Sequence, residues 1–511
     1  MDNRPQWGTR AGFILAAVGS AIGLGNIWRF PATAYENGGG AFFVPYLFAL
    51  LTAGIPLLIL EFTMGHKYRG SAPLSYARMN KKYEWLGWWQ VGIAFVISTY
   101  YAVIIAWAMS YSVFSLNLKW GDDTGGFLIG EYLQVSAPGE FGSLVPSVLL
   151  PLIIVWVVTL GVLFKGVKKG VEVANKIFIP TLVVLFLIIV IRALTLEGAG
   201  TGLNAFFKPD WSTIANGKVW VAAYGQIFFS LSIAFAIMIT YSSYLPKKSD
   251  ITNNAFITGF SNSGFELLAG IGVFSILGFM AVQQGVGVDQ VVAGGVGLAF
   301  VVFPQIINEF PAFNQLFGFL FFGSLVLAGL SSLISIVETF VAGVQDKFKV
   351  SRTKAVAFGG GLSAVISLVF ATQGGLNVLD VADYFINQFG VALAGLVQVI
   401  VVVYFARQLK TLQSHANEIS DIKLTGFLGQ WWTWSLAVIT PLVLGYMMID
   451  LIRTNIRDVY GAADGYSRIF TVQYGVVVAV IALLVGIAFS LIKWKKDTLE
   501  LSSSSSKEVN K

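Results

Sequence analysis

Apolar residues run along this chain in blocks too long for any soluble core. Blocks near 11–35, 41–64, 88–116, 145–164, 171–194, 219–241, 254–282, 313–343, 355–371, 380–405, 431–452 and 469–492 carry few charges. Most reach the roughly 20 residues that an α-helix needs to cross a bilayer's hydrocarbon core. They predict an all-α polytopic membrane protein of twelve transmembrane helices, with both termini on one face. The first block is not uniform. It is broken at its middle by Gly19-Ser20-Ala21-Ile22-Gly23-Leu24-Gly25-Asn26 and then carries Arg29 and Pro31. In lipid every backbone amide and carbonyl must find a partner, so glycine-rich irregular backbone at that depth implies a cavity or a bound species. Each restarted half-helix also presents a dipole end, so an anion and a cation can be held side by side.

The sixth block holds a weaker interruption, Phe229-Ser230-Leu231-Ser232-Ile233-Ala234-Phe235. Serines in a span ordinarily bond back to the preceding turn. Position changes that reading, because the sixth span is to the first as one five-helix half is to the next. Matching interruptions in two halves point to a transporter built from inverted repeats, with its site at the midplane.

Composition and charge agree with a membrane chain and orient it. The mean hydropathy is +0.74 and only 12% of residues are charged. Of the 33 Lys and Arg, 25 fall on the face that bears the termini and seven on the other, with Arg29 inside the first span. The positive-inside bias then predicts cytoplasmic termini and a multi-pass plasma (inner) membrane protein surrounded by lipid. The net charge of +6 reflects topology, not nucleic-acid binding, since no basic cluster is interleaved with aromatics. No cleavable signal peptide is expected, because the first apolar stretch is too long and lacks a small-residue cleavage site. There are no cysteines, so disulfides and thiol chemistry are excluded. His66 and His415 read as solvated loop histidines, and 285–311 as a short helical hairpin over the outer face. The polar tail 495–511 reads as disordered and cytoplasmic.

Enzymatic readings find no support. The chain has no Gly-x-x-x-x-Gly-Lys-Ser/Thr loop, no His-Glu-x-x-His and no Gly-x-Ser-x-Gly. Paired carboxylates at membrane depth are confined to Asp380 and Asp383. Neither an enzyme nor an organic cofactor is expected.

Gly23-Leu24-Gly25-Asn26-Ile27-Trp28-Arg29-Phe30-Pro31, followed by Glu36-Asn37-Gly38-Gly39-Gly40-Ala41-Phe42, resembles the signature of the neurotransmitter:sodium symporter family. The likeness runs from Trp7 to about Arg407 and is nearest to bacterial hydrophobic amino-acid carriers. It implies a LeuT-type 5+5 inverted repeat with broken helices 1 and 6, over 11–194 and 219–407. An N-terminal segment 1–10 precedes this core, and two additional helices follow in 408–494. It also implies two sodium sites. One would use Ala21, Asn26, Ser230, Asn262 and the substrate carboxylate; the other Gly19, Ile22, Ala328, Ser331 and Ser332. All these ligands are neutral oxygens, which suit a monovalent hard cation better than a divalent one.

By the same resemblance, the amides of Leu24 and Gly25 and the hydroxyl of Tyr101 would take a substrate carboxylate. Carbonyls of Ala21, Phe229 and Ser230 would take the amine. Ile97, Tyr101, Phe229, Ser232, Phe235, Ser332 and Ile336 would form a largely apolar side-chain pocket, roofed by Tyr101 and Phe235. Relatives that carry biogenic amines have aspartate at the position of Gly23, so glycine here implies a ligand with its own carboxylate. Ala234 and Ala236 stand where a bacterial relative has glycines, which leaves pocket size open. Arg29 with Asp383, and Arg4 with Asp346, match the outer and inner gate pairs, with Tyr244 and Glu338 flanking the inner one. Gly170 and Pro180 share a family spacing that reads either as a kinked helix or as an end able to unwind. Glu266, one helical turn after Asn262, stands where chloride-dependent relatives have serine, beside Tyr46, Gln226 and Ser230. It would replace chloride as the compensating charge and return a proton as counter-ion. The expected function is chloride-independent sodium symport of neutral or hydrophobic L-amino acids by alternating access. A non-transporting amino-acid sensor and a channel are the rivals.

Overall fold

The computed structural model describes residues 4–495 and 498–500 and contains α-, 3₁₀- and π-helical segments joined by loops. Most of the tail expected to be disordered lies outside the described residues. Ten continuous helical stretches are long and apolar enough to span a membrane. The first span is a bent pair, Arg10–Ala21 and Leu24–Glu36, with 55° between its halves. The sixth is carried by Gly217–Ser230 and Ile237–Ser242, separated by six irregular residues. Together these make the twelve spans that the apolar blocks predict.

Several helices outrun their apolar blocks. The third continues to Glu84 and the eighth to Phe348, since polar residues sustain helical hydrogen bonds beyond the hydrocarbon while lowering hydropathy. These two helices pack against each other at the centre, and the last span, Arg468–Leu491, shows most of its apolar surface outward.

Two expectations are corrected. The segment 285–311 is not a hairpin. The seventh helix ends at left-handed Gly285, a single 3₁₀ turn covers Val288–Gln290, and one helix then runs Gly295–Glu309. Pro304 is absorbed because a π turn, Leu298–Val302, precedes it and loosens the ladder where its missing N–H would bond.

The fifth span is continuous, which fits either of its two readings. Gly170 lies in a π turn, Val167–Val171, and Pro180 inside the helix Glu172–Leu194.

The two histidines are not solvated. His66 is 4% exposed, its Nδ1 lies 2.9 Å from His415 Nε2, and its Nε2 lies 2.9 Å from the Pro246 carbonyl. Burial, then the neighbouring His66, Lys67 and Arg69, push the His415 imidazole down to about 3, so it is neutral.

Candidate functional site

The break in the first span is built locally. Ile22 turns to extended backbone, Gly23 follows at φ −120°, and the Gly23 N–H donates to Asn26 Oδ1 at 3.0 Å as the helix restarts. Close approach makes a side chain tight at Gly23 and excludes one at Gly25 unless Phe229 moves. A Cβ at Gly23 would lie 3.0 Å from Tyr101 Oη and 3.2 Å from Ser332 Oγ, and one at Gly25 would lie 2.4 Å from the Phe229 ring.

The break in the sixth span has a different cause, since it contains no glycine. Ser232, Ala234 and Ala236 all hold positive φ, at 53°, 64° and 64°. Each such residue costs roughly 1–2 kcal/mol of backbone strain. Neighbours hold the turn in place. Ser232 Oγ donates across to the Ser20 carbonyl at 3.0 Å, not back along its own helix. The Ala234 N–H donates to Glu61 Oε1 at 2.9 Å. Glu61 is fully buried in the second span, and Gln398 Nε2 also reaches its Oε1, at 2.9 Å. Sequence reasoning does not single out Glu61, although a carboxylate inside an apolar block is the available signal.

The two breaks meet around a cavity of about 290 Å³. Ala21, Leu24, Gly25, Ile97, Tyr101, Phe229, Ser230, Ser232, Phe235, Ser332 and Ile336, all expected from sequence, line it. The Leu24 N–H donates to Tyr101 Oη at 3.3 Å. Beside the cavity, Asn26 Nδ2 donates to Asn262 Oδ1 at 2.8 Å, and Asn262 Nδ2 to Ser230 Oγ at 3.1 Å. One turn along, Glu266 accepts from Gln226 Nε2 at 2.6 Å and from the Tyr46 hydroxyl. On the other side of the first break, the Gly19 carbonyl accepts from Ser331 Oγ at 2.8 Å and Ser332 Oγ at 3.3 Å. Ser331 also reaches the Ala328 carbonyl at 2.9 Å, and Ile22 is buried at the same turn. Two clusters of neutral oxygens therefore flank one small cavity.

The ends of the cavity differ. On the face bearing the termini, Arg4 Nη1 meets both oxygens of Asp346 at 3.0 Å, and Arg4 Nε donates to Ser243 at 2.9 Å. The Arg4 guanidinium stacks on Tyr244, whose hydroxyl donates to Glu338 Oε1 at 2.8 Å. Arg352, which the apolar pattern leaves in a loop, forks onto the same carboxylate at 2.6 and 3.0 Å. Trp7 closes the seam by donating from Nε1 to the Tyr241 carbonyl at 2.8 Å.

On the far face the expected pair is not formed. Among the described residues no carboxylate lies within ion-pair distance of Arg29, which instead sits 4.9 Å over the Phe229 ring. The cavity itself separates the partners, running outward between Arg29 and Asp383 to Asp380, Val296 and Tyr460. Asp383 accepts from Asn387 Nδ2 at 2.8 Å, and Asp380 from the Tyr460 hydroxyl at 3.1 Å.

Two interrupted spans enclosing a cavity, with an ion pair formed at one end and unformed at the other, define a secondary transporter of the inverted-repeat class. The sequence model of the sodium:neurotransmitter symporter family matches residues 4–126 and 124–497. An "uncharacterized sodium-dependent transporter" of Methanocaldococcus jannaschii is 41% identical over 491 residues, covering 96% of this chain and 98% of that one. The human "sodium- and chloride-dependent GABA transporter 2" is 32% identical over 421 residues, covering 75% and 69%. The crystal structure of MhsT in complex with L-phenylalanine superposes with a TM-score of 0.74 at 31% identity, over 88% of this chain and 99% of that one. This chain belongs to the sodium:neurotransmitter symporter family and is a sodium-dependent symporter.

Proposed function

We propose that the protein imports neutral amino acids with apolar side chains, coupled to sodium and independent of chloride. The observation that carries this reading is the crowding at Gly23. Glycine offers no carboxylate to the unwound turn, and Tyr101 Oη and Ser332 Oγ, 3.0 and 3.2 Å from where a Cβ would stand, crowd any side chain added there. The ligand must bring its own. Its carboxylate would lie at the Leu24 and Gly25 amides, at a half-helix N-terminus that favours negative charge. Its amine would lie at the carbonyls of Ala21, Phe229 and Ser230, and its side chain among Ile97, Phe235 and Ile336. A charged side chain would find only the Ser232 and Ser332 hydroxyls there, too few partners to repay its desolvation. MhsT, which holds L-phenylalanine by its title, supports an amino acid of this kind.

Sodium would take the two oxygen clusters: Ala21, Asn26, Ser230 and Asn262 with the substrate carboxylate, and Gly19, Ile22, Ala328, Ser331 and Ser332. An ion ligated by the substrate couples the two bindings reciprocally, typically by about 1–3 kcal/mol. Glu266, held by Tyr46 and Gln226, supplies the negative charge that this low-dielectric site wants. It would take up a proton as sodium leaves. The Lys and Arg bias places both termini in the cytoplasm, so Arg4–Asp346 is the inner gate and Arg29–Asp383 the outer one. Residues 408–494 add two helices to the repeat core.

The test is flux into proteoliposomes under an inward sodium gradient, with all twenty amino acids as competitors and chloride replaced by gluconate. Sodium-dependent uptake of an apolar amino acid, unchanged in gluconate, is expected. Uptake lost in gluconate, or won by a charged substrate, contradicts the reading. Glu266→Ser should make substrate binding depend on chloride; a folded, active variant with no halide dependence removes the charge-compensation argument.

A further inference from the structure

Asn387 sits one turn beyond Asp383, in a π turn, Ile386–Val391, that offsets it from a regular helix. Its Nδ2 donates to Asp383 Oδ1 and to the Asp383 carbonyl, both at 2.8 Å. That orientation follows from chemistry, because a carboxylate can only accept and so takes the amide's N–H. It leaves Asn387 Oδ1 as a buried acceptor without a hydrogen bond, beside the Tyr100 hydroxyl, a neutral donor that is itself buried and unbonded next to Asn387 and Asp383. Buried acceptors of this kind are uncommon and call for a donor. Asn387 shares with Arg29 both the main cavity and a second one of about 20 Å³ against Phe229 and Gln388. The smaller space holds about one water. Among the described residues Arg29 is the sole cation lining either cavity. Its fork of N–H donors carries no ion pair among them, only the Phe229 face.

We propose that Asn387 is a third member of the outer gate, its amide bridging Asp383 through Nδ2 and Arg29 through Oδ1 when the gate closes. In the open arrangement seen here the amide already aims the Asp383 carboxylate. Closing then brings Arg29 across the shared cavity to a carboxylate and an amide oxygen together. An acceptor pair matches the planar guanidinium fork better than a lone carboxylate oxygen. Asn387 is thus a positioning residue that acts through the gate without touching substrate.

This inference rests on Arg29 and Asp383 forming the outer gate, and the experiment separates the two claims. The measured quantity is the dissociation rate, in saturating sodium, of whichever tritiated amino acid wins the twenty-way competition. Asn387→Leu should speed dissociation on the order of tenfold, the scale of one charge-assisted hydrogen bond. Sodium binding without substrate should not change. Asn387→Gln, which keeps donor and acceptor, should recover most of the native rate. In an Arg29→Ala background the leucine substitution should add nothing. Should the leucine variant not fold, Asn387→Ser keeps a donor for Asp383 but cannot span to Arg29, and should show the same acceleration. Equal rates for the leucine and glutamine variants, or an undiminished leucine effect without Arg29, overturn the bridge. An Arg29→Ala single variant with native dissociation overturns the gate reading itself.

Discussion

The two ends of the cavity are built from the same kinds of residue and are in opposite conditions. At the end that we assign to the cytoplasm, the inner one, a guanidinium, a carboxylate and an aromatic ring lock together, with Arg4 on Asp346 and stacked on Tyr244. At the outer end Arg29, Asp383 and Phe229 are all present, yet the ring has the cation and the amide of Asn387 has the carboxylate. A gate of this composition can be taken apart without leaving bare charges, because each ion finds a substitute partner when its mate withdraws. That lowers the difference between open and closed states, as a transporter that must visit both requires. The inner gate differs in having a second layer: Glu338 carries both Tyr244 and the Arg352 fork, and Trp7 pins the first helix to the sixth.

The largest effect is therefore expected at the inner face. Asp346→Ala takes the carboxylate from Arg4, which is only 11% exposed, and removes the acceptor of the Ser71 N–H. Breaking one side of such a partly buried pair should cost about 2–3 kcal/mol of the inner-closed state. Proteoliposome uptake should fall at least tenfold while the protein stays folded, and native flux would mean that the second layer suffices.

Next is the hinge shared by both gates. Glu61→Ala removes the acceptor of the Ala234 N–H and of Gln398, leaving two buried donors unpaired at about 1 kcal/mol each, the low end of the usual cost. A lowered melting temperature with weakened substrate binding is expected, and a change in melting alone would confine Glu61 to stability. A smaller effect of opposite sign is predicted for Ala234→Gly. Relieving φ +64° should stabilise the fold by about 1 kcal/mol. A lower melting temperature would show that the methyl packs usefully.

The smallest effect belongs to the histidine pair on the inner face. His415 is held neutral, pushed down to about 3 by burial and its neighbours. Its contribution is complete above the unfolded value of about 6.5 and is lost as pH falls from there toward 3. Corrected for the base-catalysed intrinsic rate, which itself falls with pH, amide protection in Leu409–Ile419 should decrease as pH drops from 7 to 5 in the native protein. His415→Ala should flatten that dependence.

How far sequence reaches can be judged at the same places. The first break is legible because a glycine-rich stretch ending in asparagine at membrane depth is tolerated only where it lines a cavity or binds something, whereas the cavity lining comes from the resemblance to the symporter family. Glu61 is not legible as a hinge, because its partner at Ala234 lies 173 residues away in a turn that glycine-free sequence does not announce. His66 and His415 meet across 349 residues, and no local pattern encodes that. The Arg29–Asp383 pair fails differently. Sequence names the partners of a gate but not the conformation in which they are found, and here the cavity stands between them.

If the two ends work as an alternating pair, one load, sodium with substrate, closes the outer end without opening the inner one. The chain has no cysteines, so labelling pairs can be introduced into the native background. Spin labels across the Arg29–Asp383 opening and across the Arg4–Asp346 seam report both ends in one membrane sample. Sodium with the amino acid should shorten the first distance and leave the second short, while sodium alone leaves the first long. A load that lengthens the inner distance while the outer stays long, or moves neither, contradicts gating of this kind.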